Sequence, residues 1–450
     1  MDEAKAQTQE QDLAVSPQDD SKSETSTIRY EHEPFELFQH KATTLAAAKF
    51  HRDRADIHVE RMKGGAYNRV IGLKVRAIKP KSWGISWAQK YLRACFRRLR
   101  PETYEEYVVR IPRCEDGDID RQVATLKAIG ARLALPIPDV VSFDISADNV
   151  LGKPYMVQRR IPGRLFTHMM EGLNLEQMKS ATKRITELVS EISSVTAAPG
   201  AIFLDNLTSS SGPVRTDKFS VPCGDTITAT SQQPLAHPLE QCETWREFQK
   251  ANSFCFEDTW DSFIAISKAL EQRGFLKGPC VLVHGDLREY NLLAEVRSST
   301  QVEITGVIDW DEAFFAPQFV AYCSPFWLWI SEDAPSDHLD DEKNALEEPE
   351  SIADRVVKQV FLENASAEYR RFAFAPEAML ARRMYYILRK GIFGDWSFRE
   401  AEAIISEWDE LHPEDDVAAV EYESDFDGVD SDTDSEHTGA GDEGDVDIDT

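Results

Sequence analysis

The chain has 450 residues, a formal charge of −29, and 42% apolar and 10% aromatic side chains. That is material for a packed core and length for two or three domains. No apolar run reaches the roughly 18 residues of a membrane-spanning helix. The seven cysteines are scattered, without a Cys-x-x-Cys pair; this excludes a zinc ribbon or disulfide framework and points to a reducing compartment, the cytoplasm.

Residues 1–33 are rich in Gln, Asp, Glu and Ser, a composition that predicts disorder and fits neither a signal peptide nor an Arg-rich transit peptide. An amphipathic helix is expected over Pro34–Arg54, with Phe35, Leu37, Phe38, Leu45 and Phe50 on its apolar side. His58 to Ile71 reads as strand, turn, strand. Gly64-Gly65 at the turn would let backbone amides approach phosphate. From Lys74 to Arg100 there are nine Lys and Arg and no acid, interleaved with Trp83, Trp87, Tyr91, Leu92 and Phe96. Such a stretch is either a solvated helix or a surface for an anionic partner. Tyr107–Arg113 is a strand whose alternation puts Val108 and Arg110 on one face. Helices are expected over Asp120–Ile129, Leu175–Thr196 (N-capped by Asn174, with Ile185, Leu188, Val189 and Ile192 buried) and Trp245–Arg273. A last helix is expected to open on a Ser397–Glu400 capping box.

The chemistry concentrates in Val281-Leu282-Val283-His284-Gly285-Asp286-Leu287-Arg288-Glu289-Tyr290-Asn291 and in Gly306-Val307-Ile308-Asp309-Trp310-Asp311. Two short apolar strands ending side by side would bring Asp286, Asn291 and Asp309 together. Phosphoryl transfer needs a hydroxyl aimed, its proton accepted and phosphate charge neutralised. Asp286 suits the base. Asn291 and Asp309 offer oxygen ligands of the kind Mg2+ takes. Arg288 could fork onto the moving phosphate.

These two motifs resemble those of the aminoglycoside phosphotransferase and choline kinase-like family, in particular its fungal phosphotransferase-domain type. The resemblance spans about residues 55–400. It implies an α+β, bilobal protein kinase-like fold with a small β-rich N-lobe and a larger helical C-lobe. The expected organisation is a disordered segment at 1–33, an N-lobe at 34–157 with the basic insert at about 73–104, a C-lobe at 158–412 and an acidic tail at 413–450. The implied activity is ATP- and Mg2+-dependent transfer of the γ-phosphate to a small-molecule hydroxyl. Asp286 and Arg288 would be catalytic, Asn291 and Asp309 would hold metal, and His284 would orient the loop. Gly64, Gly65, Asn68 and Arg110 would face the phosphates, with Gln158 and Arg160 in a hinge at Pro154–Gly163. Gln122 stands where such kinases carry a Glu, which leaves a weak or inactive nucleotide-binding protein as the alternative. The absence of an Asp-Phe-Gly triplet argues against a protein kinase.

Two acidic segments remain. Glu332–Glu350 holds nine acids and one Lys, either a solvated loop or part of an acceptor pocket suited to a cation. Glu414–Thr450 holds 16 acids and no Lys or Arg, too few apolar groups to offset ordering entropy. Without those 16 acids the chain carries −13 rather than −29. The tail either solubilises the protein or folds back on the basic insert. No nucleic-acid partner is expected.

Overall fold

The computed structural model describes residues 33–62, 64, 67–77, 103–113, 119–203, 215–217, 219, 233–252, 256–330 and 341–417. Gly65, the polar start, the basic stretch beyond 77, the acids at 332–340 and the tail beyond 417 lie outside them, as do the expectations placed there. The chain divides into two compact units, Met1–Ile119 with Ser142–Gln158, and Asp120–Val141 with Arg159–Thr450.

The first unit opens with α1 (Phe35–Phe50), which stops where His51 turns left-handed. Strands β1 (Ile57–Arg61), β2 (Asn68–Arg76), β3 (Tyr104–Pro112), β4 (Val140–Asp144) and β5 (Tyr155–Arg159) form one sheet in the order β1-β2-β3-β5-β4. In β3, Tyr107, Val109 and Ile111 are buried with Phe38, Ala42 and Leu45 of α1, while Val108 and Arg110 take the opposite face. Leu37, expected on the apolar side of α1, is instead 57% exposed.

The second unit is mainly helical. It contains α2 (Ile119–Gly130), β6 (Arg164–Leu165), α3 (Leu175–Ile192), β7 (Gly200–Phe203), β8 (Arg215–Asp217), α4 (Ala236–Ala251) and α5 (Glu257–Gln272). After these come β9 (Cys280–Val283), β10 (Leu292–Ser298), β11 (Gln301–Val307), β12 (Phe314–Pro317), α6 (Ile352–Asn364), α7 (Ala367–Phe374), α8 (Pro376–Lys390) and α9 (Asp395–Leu411). Two small sheets run β11-β10-β6 and β8-β7-β12-β9. The class is the expected α+β one. Among the described residues no helix is long and apolar enough to cross a membrane.

Asn174 caps α3 reciprocally with Gln177, at 3.1 and 3.0 Å, and both side-chain amides donate onward to Ser299 and Ser298 carbonyls at the β10–β11 turn. One N-terminal cap thus fixes both a helix and the hairpin that carries Asn291 and Asp309.

Two helix expectations are corrected. Trp245–Arg273 is not one helix. In one continuous helix Trp245 and Trp260 would lie about 22 Å apart, yet their rings stack at 6.3 Å and the Trp260 indole donates to Gln249 Oε1 at 2.6 Å. The chain doubles back between α4 and α5 to bury both indoles. The last helix begins at Asp395, two residues before Ser397, whose hydroxyl accepts from the Gly394 amide at 3.2 Å. Glu400, assigned to the capping box, is instead a buried partner of Arg383 at 2.6 Å.

Candidate active site

β9 and β11 are not neighbours in one sheet: β9 pairs with β12 and β11 with β10. What joins their ends is the start of β10, where the Ile308 amide donates to the Asn291 carbonyl at 3.0 Å. Asn291 is therefore level with the residue before Asp309.

His284 ties the two loops together. Its Nδ1 accepts from the Asp286 amide at 3.3 Å, which leaves the proton on Nε2, and Nε2 donates to the Ile308 carbonyl at 3.0 Å. The ring is 3% exposed and packs against Trp310 at 4.4 Å. Burial pushes its pKa below the ordinary value and outweighs the pull of Asp286, the Ile308 carbonyl and Asp309. His284 is a neutral brace.

Gly285, at φ +86°, lets the loop press against the turn after Asp309; a Cβ there would stand 2.3 Å from the Glu312 carbonyl oxygen. Glu312 is in turn bound by Arg389 and by Lys390 at 3.0 Å, which anchors that turn to α8. Asp309 has φ +64°, a left-handed conformation that costs a non-glycine residue about 1–3 kcal/mol. Such a cost persists only where the surroundings dictate the geometry.

The Asp286 carboxylate receives two donors. Tyr290 O–H reaches Oδ1 at 2.7 Å and Asn291 Nδ2 reaches Oδ2 at 2.9 Å, the latter also donating to the Asp286 carbonyl at 2.8 Å. With its amide nitrogen committed, Asn291 keeps its amide oxygen as a ligand atom. Burial and the neighbouring Asp286 push the Tyr290 phenol well above its ordinary pKa, so it stays a donor. Tyr290 was not assigned from sequence, although it lies inside the motif. The 3-10 turn Glu289–Asn291 folds its hydroxyl back onto the carboxylate.

Asp286 and Arg288 line a cavity of about 540 Å³, with His284 and Ser324 among its other walls. The Arg288 guanidinium lies over the Phe326 ring at 5.1 Å. The far wall comes from Arg382, Arg383, Tyr385 and Arg389 of α8, with Glu342 and Glu400. Glu342, from the acidic segment, accepts from Arg382 Nε at 2.7 and 2.9 Å and from the Cys323 thiol at 2.8 Å. Of this wall only Glu342 falls in a segment marked from sequence, the acids of 332–350 read as either a solvated loop or part of an acceptor pocket; the α8 residues carried no such signal, because they meet the loop only in the fold.

Among the described residues the remaining candidates do not line that cavity. Gly64, Asn68, Arg110 and Gln158 belong to the first unit. Gly64 has the Asn68 carbonyl 2.6 Å from where a Cβ would sit, and Asn68 and Gln158 are buried. Arg160 follows β5 in the second unit. Gly65 lies outside the described residues. Gln122, on α2, has a buried Oε1 without a hydrogen-bond partner.

Among the described residues no three His, Cys, Asp or Glu side chains converge, which disfavours a zinc-type cage. An amide oxygen with a carboxylate suits Mg2+, which draws its other ligands from water and phosphate.

Among the solved structures similar to this chain are three aminoglycoside phosphotransferases. The GDP complex of wild-type aminoglycoside 2'-phosphotransferase-IIIa is 15% identical, covering 82% of this chain and 98% of its own, with a TM-score of 0.43. ADP-bound aminoglycoside phosphotransferase APH(2'')-Ib is 12% identical over 83% and 98%, TM-score 0.44. Aminoglycoside phosphotransferase APH(4)-Ia is 15% identical over 82% and 99%, TM-score 0.42. Among curated proteins none is similar enough to count as a match. The model of the phosphotransferase enzyme family matches residues 93–322, just over half of the sequence and inclusive of both motifs. The chain belongs to the phosphotransferase enzyme family.

Proposed function

We propose that this phosphotransferase moves the γ-phosphate of ATP to a hydroxyl of a small molecule seated beside Asp286. The observation that carries the proposal is the doubly held Asp286 carboxylate in the wall of a cavity, bonded directly by Asn291, whose carbonyl in turn accepts from the amide of Ile308, the residue before Asp309. Each carboxylate oxygen accepts one hydrogen bond from the protein and retains a lone pair for the incoming hydroxyl. The acceptor oxygen forms a bond to the γ-phosphorus as the bond from that phosphorus to the β–γ bridging oxygen breaks. The acceptor proton passes to Asp286, and ADP leaves. Arg288 donates to the phosphoryl oxygens from two residues along. Asn291 and Asp309 would hold Mg2+, which when bound neutralises phosphate charge. Gly64, Gly65, Asn68, Arg110, Gln158 and Arg160 are the candidates for nucleotide contacts.

The unpartnered Oε1 of Gln122 favours a second reading, a slow enzyme or a nucleotide-binding protein without turnover. Turnover separates these, and nucleotide binding tests what they share. MgATP should raise the melting temperature in a metal-dependent way under both readings. Asp286→Asn should lower kcat for ADP release by about 10²–10⁴ with little change in melting temperature. Full turnover in that variant would end the assignment of the base.

A further inference from the structure

Resting on the phosphotransferase reading, we infer that the acceptor is an uncharged or anionic hydroxyl compound that presents a hydrogen-bond-accepting oxygen to the guanidinium of Arg382. Four polar atoms on side chains that line the cavity have no hydrogen-bond partner: Ser193 Oγ, Ser324 Oγ, Arg382 Nη2 and the Tyr385 hydroxyl. All four side chains are more than nine-tenths buried, Arg382 at 8% exposed and Tyr385 at 1%. Buried polar groups are seldom left unmatched, and an exception calls for a cause. Arg382 spends Nε on Glu342, and Nη1 on the Phe319 and Phe372 carbonyls at 2.7 and 3.1 Å. Nη2 is only a donor, so an oxygen is what completes it.

The described carboxylates speak against the opposite chemistry. Among the described residues the cavity is lined by three, Asp286, Glu342 and Glu400. Glu342 is taken by Arg382 and Glu400 by Arg383, while Asp286 faces the reacting hydroxyl. Among the described residues an ammonium group would find no free carboxylate and would sit beside Arg288 and the ion-paired Arg382, Arg383 and Arg389. Tyr386 and Trp396, in edge-to-face contact at 5.6 Å and 46% and 43% exposed, supply aromatic surface for the body of the acceptor.

The test uses the full chain and six probes: kanamycin and glucosamine as cations, glucose and myo-inositol as neutral polyols, gluconate and 4-hydroxyphenylacetate as anions. Each is read by melting-temperature shift without nucleotide and by ADP release with MgATP. Neutral or anionic probes should bind, and the two cations should not. Ser324→Ala and Tyr385→Phe cut no hydrogen bond inside the protein, so they keep the fold while weakening the bound probe about fivefold to tenfold. Arg382→Lys, which loses Nη2, should weaken it at least as much. Binding or phosphorylation of kanamycin or glucosamine in preference to the others overturns the inference. So does a panel in which no neutral or anionic probe binds, or an affinity unchanged in all three variants. A MgATP shift abolished by Asp309→Ala reports on the nucleotide separately. A protein that binds gluconate but not MgATP would therefore fail the proposed function and not this one.

Discussion

Asp286 is gripped by one donor that is buried and one that is 40% exposed, Asn291 and Tyr290. Asn291 also holds the loop backbone, so its replacement would disturb several things at once. The Tyr290 hydroxyl bonds the carboxylate and does not hold the loop backbone, which makes it the cleaner probe of orientation. A hydrogen bond to a charged group is worth about 1.5–3 kcal/mol. Tyr290→Phe should accordingly lower kcat by about tenfold or more, with the nucleotide KM and the melting temperature little changed; equal kcat would show that Asn291 alone orients the base. His284 carries a pH dependence with a definite sign. Its pKa in the folded chain lies below the ordinary 6.5 because burial disfavours the imidazolium. Above 6.5 both folded and unfolded chains hold it neutral, and nothing is lost. As pH falls below 6.5 the unfolded chain binds a proton that the folded chain resists, so stability declines. Urea midpoints at pH 7.5, 6 and 5 should fall more steeply for the native protein than for His284→Gln, whose midpoint starts lower. The contact of Asp286 with Asn291 and the approach of the Asp309 segment to it were legible in the sequence because loop spacing at two strand ends fixes them. Arg382 and Ser324 were not, since only tertiary packing brings α8 against the segment after β12.

At the level of elements the catalytic loop depends on a backbone-to-backbone contact. Gly285 at φ +86° packs against the Glu312 carbonyl, so the loop that ends in Asn291 and the turn that follows Asp309 are held in register by the missing side chain. Gly285→Ala should cost about 1–3 kcal/mol from the backbone conformation alone. The clash should also move Asp286 off its two donors. Activity should therefore fall by at least a hundredfold while circular dichroism remains native, and an active Ala variant would mean that the turn yields freely. The strands of both motifs could be read from short apolar runs, and α3 from its Asn174 cap. The break between α4 and α5 could not, because neither Gly nor Pro occurs between Ala251 and Glu257; the turn is driven by burial of Trp245 and Trp260 on one another. The opening of α9 was misplaced for a related reason. Ser397 and Glu400 have the spacing of a capping box, but Arg383 claims Glu400 for a buried ion pair.

For the whole molecule, the boundary between body and tail lies later than composition suggests. Glu414 and Asp415 look like the first acids of the tail, yet both bind Arg273, at 2.8 and 3.0 Å. Asp415 also accepts from the Trp408 indole at 3.0 Å, and Val417 is 1% exposed within the helical core. The sequence hid this anchor because each of its charges is answered from far away in the chain. Of the 16 acids from Glu414 onward, 13 lie beyond Val417, so two truncations separate packing from charge. Ending the chain after residue 412 removes Val417, whose burial is worth about 1.5–3 kcal/mol. It also strands the buried indole N–H of Trp408, at a further cost of about 1–3 kcal/mol. That truncation should lower the melting temperature by about 5–10 °C. Ending it after residue 417 removes charge and leaves the anchor, so the melting temperature should hold. If the acidic tail acts on the basic insert, the second truncation will change the salt dependence of activity, because a charge contact weakens as the Debye length shortens. Identical salt profiles for the full chain and the 1–417 protein would leave the tail as a solubilising segment only.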